Sequence, residues 1–564
     1  MKKPVPQKQK GAVLLATTLI LILGSAWLLI INLNNNARRY ANYEESMHVL
    51  REAKQALIAY AVNYYESNPG HFGFLPCPDS STTGEEGNQE APCGAQYVNV
   101  MGKFPWQALD LPPLKDAYGN CLWYAVSGAV KGGSSRSDML NDDTHGTFQI
   151  MDSDGVTVVA GATPGERPVA VVFAPGRSIN NQTRADSNGA ICEGNEAVNY
   201  VASNYLDAQV PSNPLSGIRN YVVSSTKDTV DQFIMTDDPE SEDFNDLMLY
   251  ITNDEIFDAI KQRNDFTEKL YDEAALNNLT YRVAECLAGY GQYHADNHDD
   301  DGDGDYNRSL PWPARYDFAD DDNRYRYETE YYDIDNSSLL MGRVPIDVSN
   351  SNDEIYNGCS SPHTCLPPSD QLINSSTSPY SGFCKAFWLV YSDNPIPPSA
   401  IDELIDLWNN WKDHLFYVVS EEYEPQPMSA DTDACLDTTQ SPDEIEDRCI
   451  TINVPFTYPP NDKSLNMTMV AALVIFSNEP LPSLSQSRTA PPIDTDDKQN
   501  PASNLEDRNI IPYTTSDIGI DTEFSSNQVS ATFNDILYCI NEDTDETSIG
   551  GPPPFKAGRC PMNP

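Results

Sequence analysis

Residues 12–31 read AVLLATTLILILGSAWLLII, and this uncharged run of 20 residues decides how the chain is organised. Its length matches the hydrocarbon core of a bilayer, which is about 30 Å thick at a rise of about 1.5 Å per helical residue. The positive-inside rule holds the lysines before it in the cytoplasm, namely Lys2, Lys3, Lys8 and Lys10. We therefore predict a single transmembrane helix, with everything after Asn32 on the far side of the membrane.

The helical pattern continues beyond the apolar run. Small and apolar residues recur at helical spacing from Ala37 to Ala61, and neither Gly nor Pro interrupts the pattern before Pro69. We expect one long helix with a transmembrane half over 12–31 and an amphipathic half over 32–66. Such a helix can serve as an assembly surface as well as an anchor.

Composition limits the function classes. The chain has 564 residues, too many for one core, so we expect at least two domains outside the membrane. Its 84 acidic and 35 basic residues give a formal net charge of −49, which argues against nucleic acid as a partner. An acidic surface suits cations such as Ca²⁺, and the alternative is the soluble surface of a salt-tolerant organism.

Twelve cysteines lie beyond the apolar run, and none of them form a CxxC pair. The spacing disfavours zinc ribbons and thioredoxin-type sites, whereas an oxidising periplasm favours disulfides. Sequence does not determine the pairing. The pairs closest in sequence are Cys77 with Cys93, Cys359 with Cys365, Cys435 with Cys449, and Cys539 with Cys560.

A series of landmarks occurs twice in the same order. In the first half, strands are predicted at 121–126, 168–174 and 244–251, and Arg184 follows the second of them. In the second half we predict a helix over 255–293 that repeats the Leu and Tyr spacing of the first helix. Strands are predicted after it at 385–391, 472–476 and 533–538, and Arg488 follows the middle one. We infer an internal duplication, with units at 67–253 and 254–564.

Several of these segments resemble the type IV pilin and type II secretion pseudopilin superfamily. The resemblance rests on Lys10-Gly11 before an apolar run, on residues 53–61, and on the later LPCPD and DAYGN stretches at 75–79 and 116–120. It covers residues 8 to about 130 and is only a matter of pattern beyond them. It implies an α+β fold in which a long N-terminal helix carries two tandem pilin-like units with antiparallel sheets.

The resemblance also implies a history for the N-terminus. Residues 1–11 would be a prepilin-type leader that prepilin peptidase removes after Gly11, and Ala12 would become the new, methylated N-terminus. The chain would begin as a single-pass inner-membrane protein with its N-terminus cytoplasmic and its domains periplasmic. Its long helix would then pack against other pilins or pseudopilins in a pilus or pseudopilus.

One position departs from the family pattern. Most pilins carry Glu at the fifth mature position, where this chain has Ala16. In the family, that carboxylate is thought to meet the free amine of a neighbouring subunit, because burying either charge alone is costly. The large minor pseudopilin of type II secretion also lacks this Glu and caps its fibre. The departure therefore implies a position at the tip or a role in initiating assembly.

The sharpest local motif is HDDDGDGD at 298–305. Asp299, Asp301, Asp303 and Asp305 alternate as in a Ca²⁺-binding loop, and the glycines permit a tight turn between them. The twelfth position is Leu310 rather than the Glu of an EF-hand, so a distant carboxylate (Asp317, Asp320 or Asp321) would have to complete the shell. The alternative is a solvated acidic loop. A second acidic cluster, 237–246, is predicted to be surface.

Catalytic motifs are missing from the sequence: it has no G-x-S-x-G, H-E-x-x-H or P-loop. We predict that the chain is not an enzyme. The sequence instead predicts a minor pilin or pseudopilin, a structural subunit that binds Ca²⁺ and contains disulfides. The alternative is a signal-anchored periplasmic calcium-binding protein, for adhesion or ligand binding, that keeps its leader.

Overall fold

The computed structural model describes much of the chain between residues 12 and 560. The residues within that range that it leaves undescribed are 81–85, 91, 133–139, 180–181, 185–191, 193–196, 209–216, 228, 237, 239–240, 242, 264–265, 267–274, 298–309, 316–330, 332–339, 347, 349–371, 374–381, 393, 421–422, 424–449, 454–468, 485, 487, 489–500, 507–508, 510–522, 529, 531 and 543–554.

The described elements are mixed α and β. The α-helices are α1 (Ala12–Ser67), α2 (Asn253–Lys261), α3 (Ala275–Asn297), α4 (Phe383–Ala386), α5 (Pro398–Trp411) and α6 (Pro501–Asn504). The strands are β1 (Val100–Lys103), β2 (Trp123–Val126), β3 (Phe148–Met151), β4 (Val158–Ala160), β5 (Ala170–Ala174), β6 (Asp231–Ile234), β7 (Leu247–Ile251), β8 (Met341–Arg343), β9 (Leu415–Val419), β10 (Ile450–Asn453), β11 (Met469–Val470), β12 (Ala472–Phe476), β13 (Glu523–Ser525), β14 (Ile536–Glu542) and β15 (Phe555–Arg559).

Helix α1 forms one wall of the first half of the molecule. Leu50, Ala53, Leu57 and Ala61 recur every three or four residues, so they share one face of α1, and all four are buried. That face packs against β5 and β7. Lys54 on α1 donates a hydrogen bond from Nζ to the Tyr250 carbonyl at 2.8 Å. None of the described helical segments combines the length and apolarity needed to cross a membrane.

The two central sheets have the same strand order. The first sheet runs β1-β2-β5-β7 and the second β8-β9-β12-β14, with β15 added at its edge. Every neighbouring pair in both sheets is antiparallel. Because the strands that correspond also follow each other in the same chain order, the second half repeats the topology of the first.

A smaller three-stranded sheet accompanies each central sheet, and these two also correspond. In the first half β3 pairs with β4 antiparallel and with β6 parallel. In the second half β10 pairs with β11 antiparallel and with β13 parallel. The mixed pairing is reproduced strand for strand, which is a stronger sign of duplication than the order of the central sheets alone.

Helix α3 covers the second central sheet as α1 covers the first. It packs against β12, β14 and β15, and its Leu287 and Tyr290 are buried. Under these helices lie two equivalent tyrosines, Tyr124 in β2 and Tyr417 in β9, both fully buried. Burial raises the pKa of each phenol well above its ordinary value, and the helix tyrosines Tyr60 and Tyr290 raise the pKa of their respective partners further.

Two predictions for the second half are wrong. The segment predicted as a strand at 385–391 is helical: α4 passes into one π-helical turn, Phe387–Tyr391. A short apolar run has no period that separates strand from helix, and the strand equivalent to β2 is instead β9. The single helix predicted over 255–293 is interrupted: α2 begins at a capping box formed by Thr252 and Glu255 and ends at Lys261, and α3 begins at Ala275 in the described residues.

An aromatic junction joins the two halves. Trp411, at the end of α5 in the second half, is fully buried, and its ring contacts that of Phe72 in the first half with centroids 5.4 Å apart. The rings of Phe257 and Phe266, also in the second half, complete the cluster with centroids 6.1 and 5.7 Å from that of Trp411. Nearby, the Tyr65 hydroxyl of α1 donates to Asp406 Oδ2 at 3.1 Å. As a result, the apolar sides of both central sheets belong to one continuous hydrophobic core.

Four disulfides lie within the described residues: Cys77–Cys93, Cys121–Cys192, Cys286–Cys384 and Cys539–Cys560. The first and last confirm pairs predicted from proximity in sequence. The other two join cysteines 71 and 98 residues apart, which spacing cannot reveal. The predicted pairs Cys359–Cys365 and Cys435–Cys449 lie outside the described residues.

We predict that Trp411→Ala lowers the free energy of unfolding by about 3–5 kcal/mol, because it leaves a cavity where three aromatic rings meet. Urea unfolding of the full chain with its disulfides intact measures the change. Trp411→Phe is the matched control and should cost less, since it keeps a ring in the junction. Equal stability of Trp411→Ala and the unchanged chain would contradict this role.

Candidate functional site

The most unusual described feature of the first half is a buried pair of carboxyl groups, Asp207 and Asp246. Asp246 lies just before β7 and its Oδ2 accepts from the Asp207 backbone N–H at 2.7 Å. In return, Asp207 Oδ2 accepts from the Asn245 N–H at 2.7 Å. Asn220 Nδ2 donates to Asp246 Oδ2 at 3.2 Å, and Gln182 Nε2 donates to Asp207 Oδ1 at 2.8 Å. Reciprocal bonds therefore hold the 207 segment against the start of β7.

Arg184 lies near this pair and donates hydrogen bonds to the neighbouring loops. Its Nε donates to the Asn204 carbonyl at 3.0 Å, and its Nη1 donates to the Gly176 carbonyl at 2.9 Å. The same Nη1 donates to Asn120 Oδ1 at 2.7 Å, which ties in the DAYGN turn. One guanidinium thus joins three loops at the end of the first central sheet.

An equivalent pair, Glu506 and Asp535, occupies the second half. Asp535 lies just before β14 and its Oδ2 accepts from the Glu506 N–H at 3.0 Å, while Glu506 Oε2 accepts from the Asn534 N–H at 2.9 Å. Asn509 Nδ2 donates to Asp535 Oδ2 at 2.9 Å. Gln486 Nε2 donates to Glu506 Oε1 at 3.1 Å. Each bond has its counterpart in the first half.

Arg488 takes the place of Arg184. Its Nε donates to the Ser503 carbonyl and its Nη2 to the Asn504 carbonyl, each at 2.9 Å, and its Nη1 bonds the Asn478 carbonyl. The order Gln-x-Arg, then Asp or Glu, then Asn, then Asn-Asp is the same in both halves. The duplication therefore extends to a polar network, beyond the hydrophobic pattern.

Burial makes each pair hold a proton at higher pH than free carboxyls do. Burial raises the pKa of Asp207 to about 6, while the Asn245 N–H and Arg184 lower it. Burial raises the pKa of Asp246 well above its ordinary value, and the charge of Asp207 raises it further. The pKa of Asp535 is raised well above its ordinary value for the same two reasons, burial and then the charge of Glu506.

The chemistry available to these pairs is structural. Asp246 and Asp535 are 0 % and 4 % exposed, so a substrate cannot reach their carboxyls directly. The Oδ1 atom of each has no hydrogen-bond partner in the described residues. The reciprocal hydrogen bonds make each pair a clasp between a loop and the start of a central strand.

A third cluster lies where the two halves meet. Asp143 follows β2 in the first half, and Asp413 and His414 immediately precede β9 in the second. All three are buried, and one oxygen or nitrogen from each lies within 4.8 Å of the others. His414 Nε2 stands 3.4 Å from Asp143 Oδ2 and 4.0 Å from Asp413 Oδ1. Among the described residues, this set is a group of side chains that could hold a metal ion.

Helix α1 presents a contrasting surface near its start. Six large apolar side chains are 56 to 72 % exposed there: Leu19, Ile20, Leu21, Ile22, Leu23 and Trp27. Further along the same helix, Leu50 and Leu57 are fully buried against the rest of the molecule. One continuous helix therefore has a covered part and an uncovered apolar part.

The residues proposed from sequence divide into two groups. The predicted calcium ligands Asp299, Asp301, Asp303 and Asp305 lie outside the described residues, as does Gly11. Ala12 is the first residue of α1.

We predicted that the acidic cluster over 237–246 lies on the surface, and this prediction is wrong for one residue, Asp246. Asp246 is buried, whereas Asp243 is exposed as expected. Asp207 and Glu506 had no sequence signal of their own. Comparison of the two halves around Arg184 and Arg488 could have found them, because both acids follow a Leu about 20 residues later.

Comparison with known proteins does not extend these observations: no family model matches the chain, and neither a curated protein nor a solved structure matches it.

We predict that the carboxyl pairs make the protein more stable at pH 5 than at pH 7. Between the ordinary carboxyl pKa near 4 and the raised values, the folded chain binds more protons than the unfolded chain, so stability falls as pH rises. The effect should be roughly 1–2 kcal/mol per pair. Thermal midpoints of the full chain at several pH values measure it.

Asp246→Asn with Asp535→Asn should flatten this pH dependence, because an amide donates permanently where the protonated carboxyl donates only at low pH. Asp110→Asn is the control: Asp110 is an exposed residue between β1 and β2, and this substitution should leave the pH dependence unchanged. The same slope in the double variant and the unchanged chain would show that the pairs hold no extra proton.

Proposed function

We propose that this chain is a minor pilin or pseudopilin, a structural subunit of a type IV pilus or a type II secretion pseudopilus. The proposal rests chiefly on the contrast within α1. Residues 50–61 of the helix bury a regular apolar stripe in the head, whereas residues 19–27 expose six large apolar side chains. An exposed apolar surface of this extent calls for a partner. Neighbouring helices of the same kind in a fibre would supply it.

The proposal gives the helix two successive environments. Before assembly, residues 12–31 would lie in the inner membrane with the leader in the cytoplasm and the head in the periplasm. Prepilin peptidase would cut after Gly11, and the helix would then pass into a fibre against other pilins or pseudopilins. The four disulfides are consistent with an oxidising compartment for the head.

The repeated topology supports a head of two tandem pilin-like units on one spine. Among the described residues, α1 extends beyond its sheet, whereas α3 covers β12 and β14 along Ala275–Asn297. A double head occupies more space around a fibre than a single one. The size of the double head favours a position at the tip, or a role in initiating assembly, over a position along the shaft. The presence of Ala16 where most pilins have Glu favours the same positions.

Processing of the N-terminus tests the proposal. N-terminal sequencing of the assembled protein should begin at Ala12, and Gly11→Val should block cleavage and leave the protein in the membrane fraction. Gln9→Val is the matched control and should be processed normally. If the assembled protein retains residues 1–11, the proposal is wrong and the alternative, a signal-anchored periplasmic binding or adhesion protein, takes its place.

We also propose that the 298–305 loop binds Ca²⁺. Asp301→Asn should lower Ca²⁺ affinity and remove the rise in thermal midpoint that Ca²⁺ produces, because Asp301 is one of the alternating carboxylates that converge on the ion. Asp300→Asn is the matched control, since residue 300 occupies a position between ligands. A thermal midpoint that neither Ca²⁺ nor a chelator changes would leave the loop as solvated charge.

A further inference from the structure

We propose that Asp143, Asp413 and His414 bind one Zn²⁺ ion that joins the two halves of the molecule. Asp143 belongs to the first half and the other two residues to the second. Any ion held by all three would therefore cross-link the halves close to the Trp411 junction. The site stands whether or not the chain assembles into a fibre.

The hydrogen bond made by one ring nitrogen of His414 determines whether the other ring nitrogen carries a proton. Nδ1 lies 2.8 Å from the Ser477 carbonyl oxygen. A carbonyl can only accept, so Nδ1 carries the proton and Nε2 of the neutral ring has a lone pair. Within the described residues Nε2 has no hydrogen-bond partner, and His414 is 1 % exposed. Nε2 is directed at the carboxyl oxygens of Asp143 and Asp413.

A positive charge between the three groups would stabilise this arrangement. A nitrogen lone pair and two carboxylates would repel one another in a site that water does not reach. A proton on Nε2 is one remedy, but a charge-assisted hydrogen bond is normally about 2.7–2.9 Å long, and Nε2 is 3.4 Å from Asp143 Oδ2. Ligands about 2.0–2.1 Å from one tetrahedral Zn²⁺ stand about 3.3 Å apart, so the separation of Nε2 and Asp143 Oδ2 suits a shared metal. Asp413 Oδ1 is 4.0 Å from Nε2 and would move closer when the ion binds.

The ligand types select the metal. Ca²⁺ takes six to eight oxygen ligands, whereas imidazole nitrogen is a ligand of Zn²⁺ and its neighbours in the transition series. One imidazole with two carboxylates supplies three of four tetrahedral positions. The described cysteines offer no competing thiolate site, since all of them are in disulfides.

Second-shell contacts already hold the ligands in place. Asn141 Nδ2 donates to Asp413 Oδ1 at 2.8 Å, and Asn141 Oδ1 accepts from the Asp143 N–H at 3.0 Å. The His414 ring stacks on Phe476, with centroids 5.5 Å apart, while its Nδ1–H donates to a backbone carbonyl. Ligand histidines in metal sites almost always have such a donor contact on the far nitrogen, which fixes the ring and its tautomer.

Zinc binding to the full chain tests the proposal. The protein is purified without a histidine tag, stripped with a chelator and titrated calorimetrically with Zn²⁺ in excess Ca²⁺, which occupies the other acidic sites. We expect one equivalent to bind and to raise the thermal midpoint. Asp143→Asn and His414→Gln should each weaken binding by at least about 100-fold.

The matched control is Asp142→Asn. Asp142 neighbours Asp143 but pairs with Lys261 at 3.4 Å, so its loss should not change zinc stoichiometry. Should a ligand variant fail to fold, zinc X-ray absorption of the unchanged chain must show an imidazole with oxygen ligands and no sulfur. Zinc bound equally by His414→Gln, or no zinc bound and an imidazolium at residue 414 by nuclear magnetic resonance, would overturn the proposal.

Discussion

Each central sheet has an apolar face that a helix must cover, and the rest of the molecule depends on this constraint. Burying apolar surface stabilises the fold by about 25 cal/mol per Å². A sheet whose apolar face stayed in water would lack that stabilisation. In the first half the cover is α1 itself, through Leu50, Ala53, Leu57 and Ala61. The two alanines lack bulk, which lets the helix approach β5 and β7 closely. The spine of the molecule is therefore part of the fold of the head.

Duplication explains why the second half needs its own helix. The second central sheet has the same strand order as the first but lies beyond the reach of α1. Its apolar face therefore requires a helix of its own, and α3 lies at the equivalent position. The two polar networks differ in one of their acids, although both acids accept from two successive backbone N–H groups. Glu506 is one methylene longer than Asp207, and its Oε2 accepts from the N–H groups of both Asn534 and Asp535. Two loops of different length thus achieve the same clasp with different acids.

Local sequence pattern was sufficient for part of this structure. The strands β5, β7, β12 and β14 were predictable because they are continuous apolar runs bounded by turn residues. The strand β9 was missed because α5 separates it from the landmark expected beside it, and insertion lengths follow no local rule. The outcome for disulfides is similar: Cys77–Cys93 closes a short loop, whereas Cys121–Cys192 depends on tertiary contact.

The candidate sites were harder to predict than the fold. The run of acids before Asp246 predicts that this residue lies on the surface, and only the packing of β7 shows that it is buried. His414 and Asp143 are 271 residues apart in number, and no spacing rule connects them. Buried polar groups of this kind are chosen by three-dimensional proximity, so a search of one sequence for local motifs cannot find them.

The integration of α1 into the first sheet has a mechanical consequence. A pull along the axis of α1 would load the first half directly, through the side chains buried on β5 and β7 and through Lys54. The second half would take part of that load directly from α1, through the Tyr65–Asp406 hydrogen bond, and part through the contact between the Phe72 and Trp411 rings. One helix therefore carries load into both halves of the molecule, and a pull on it is shared between them.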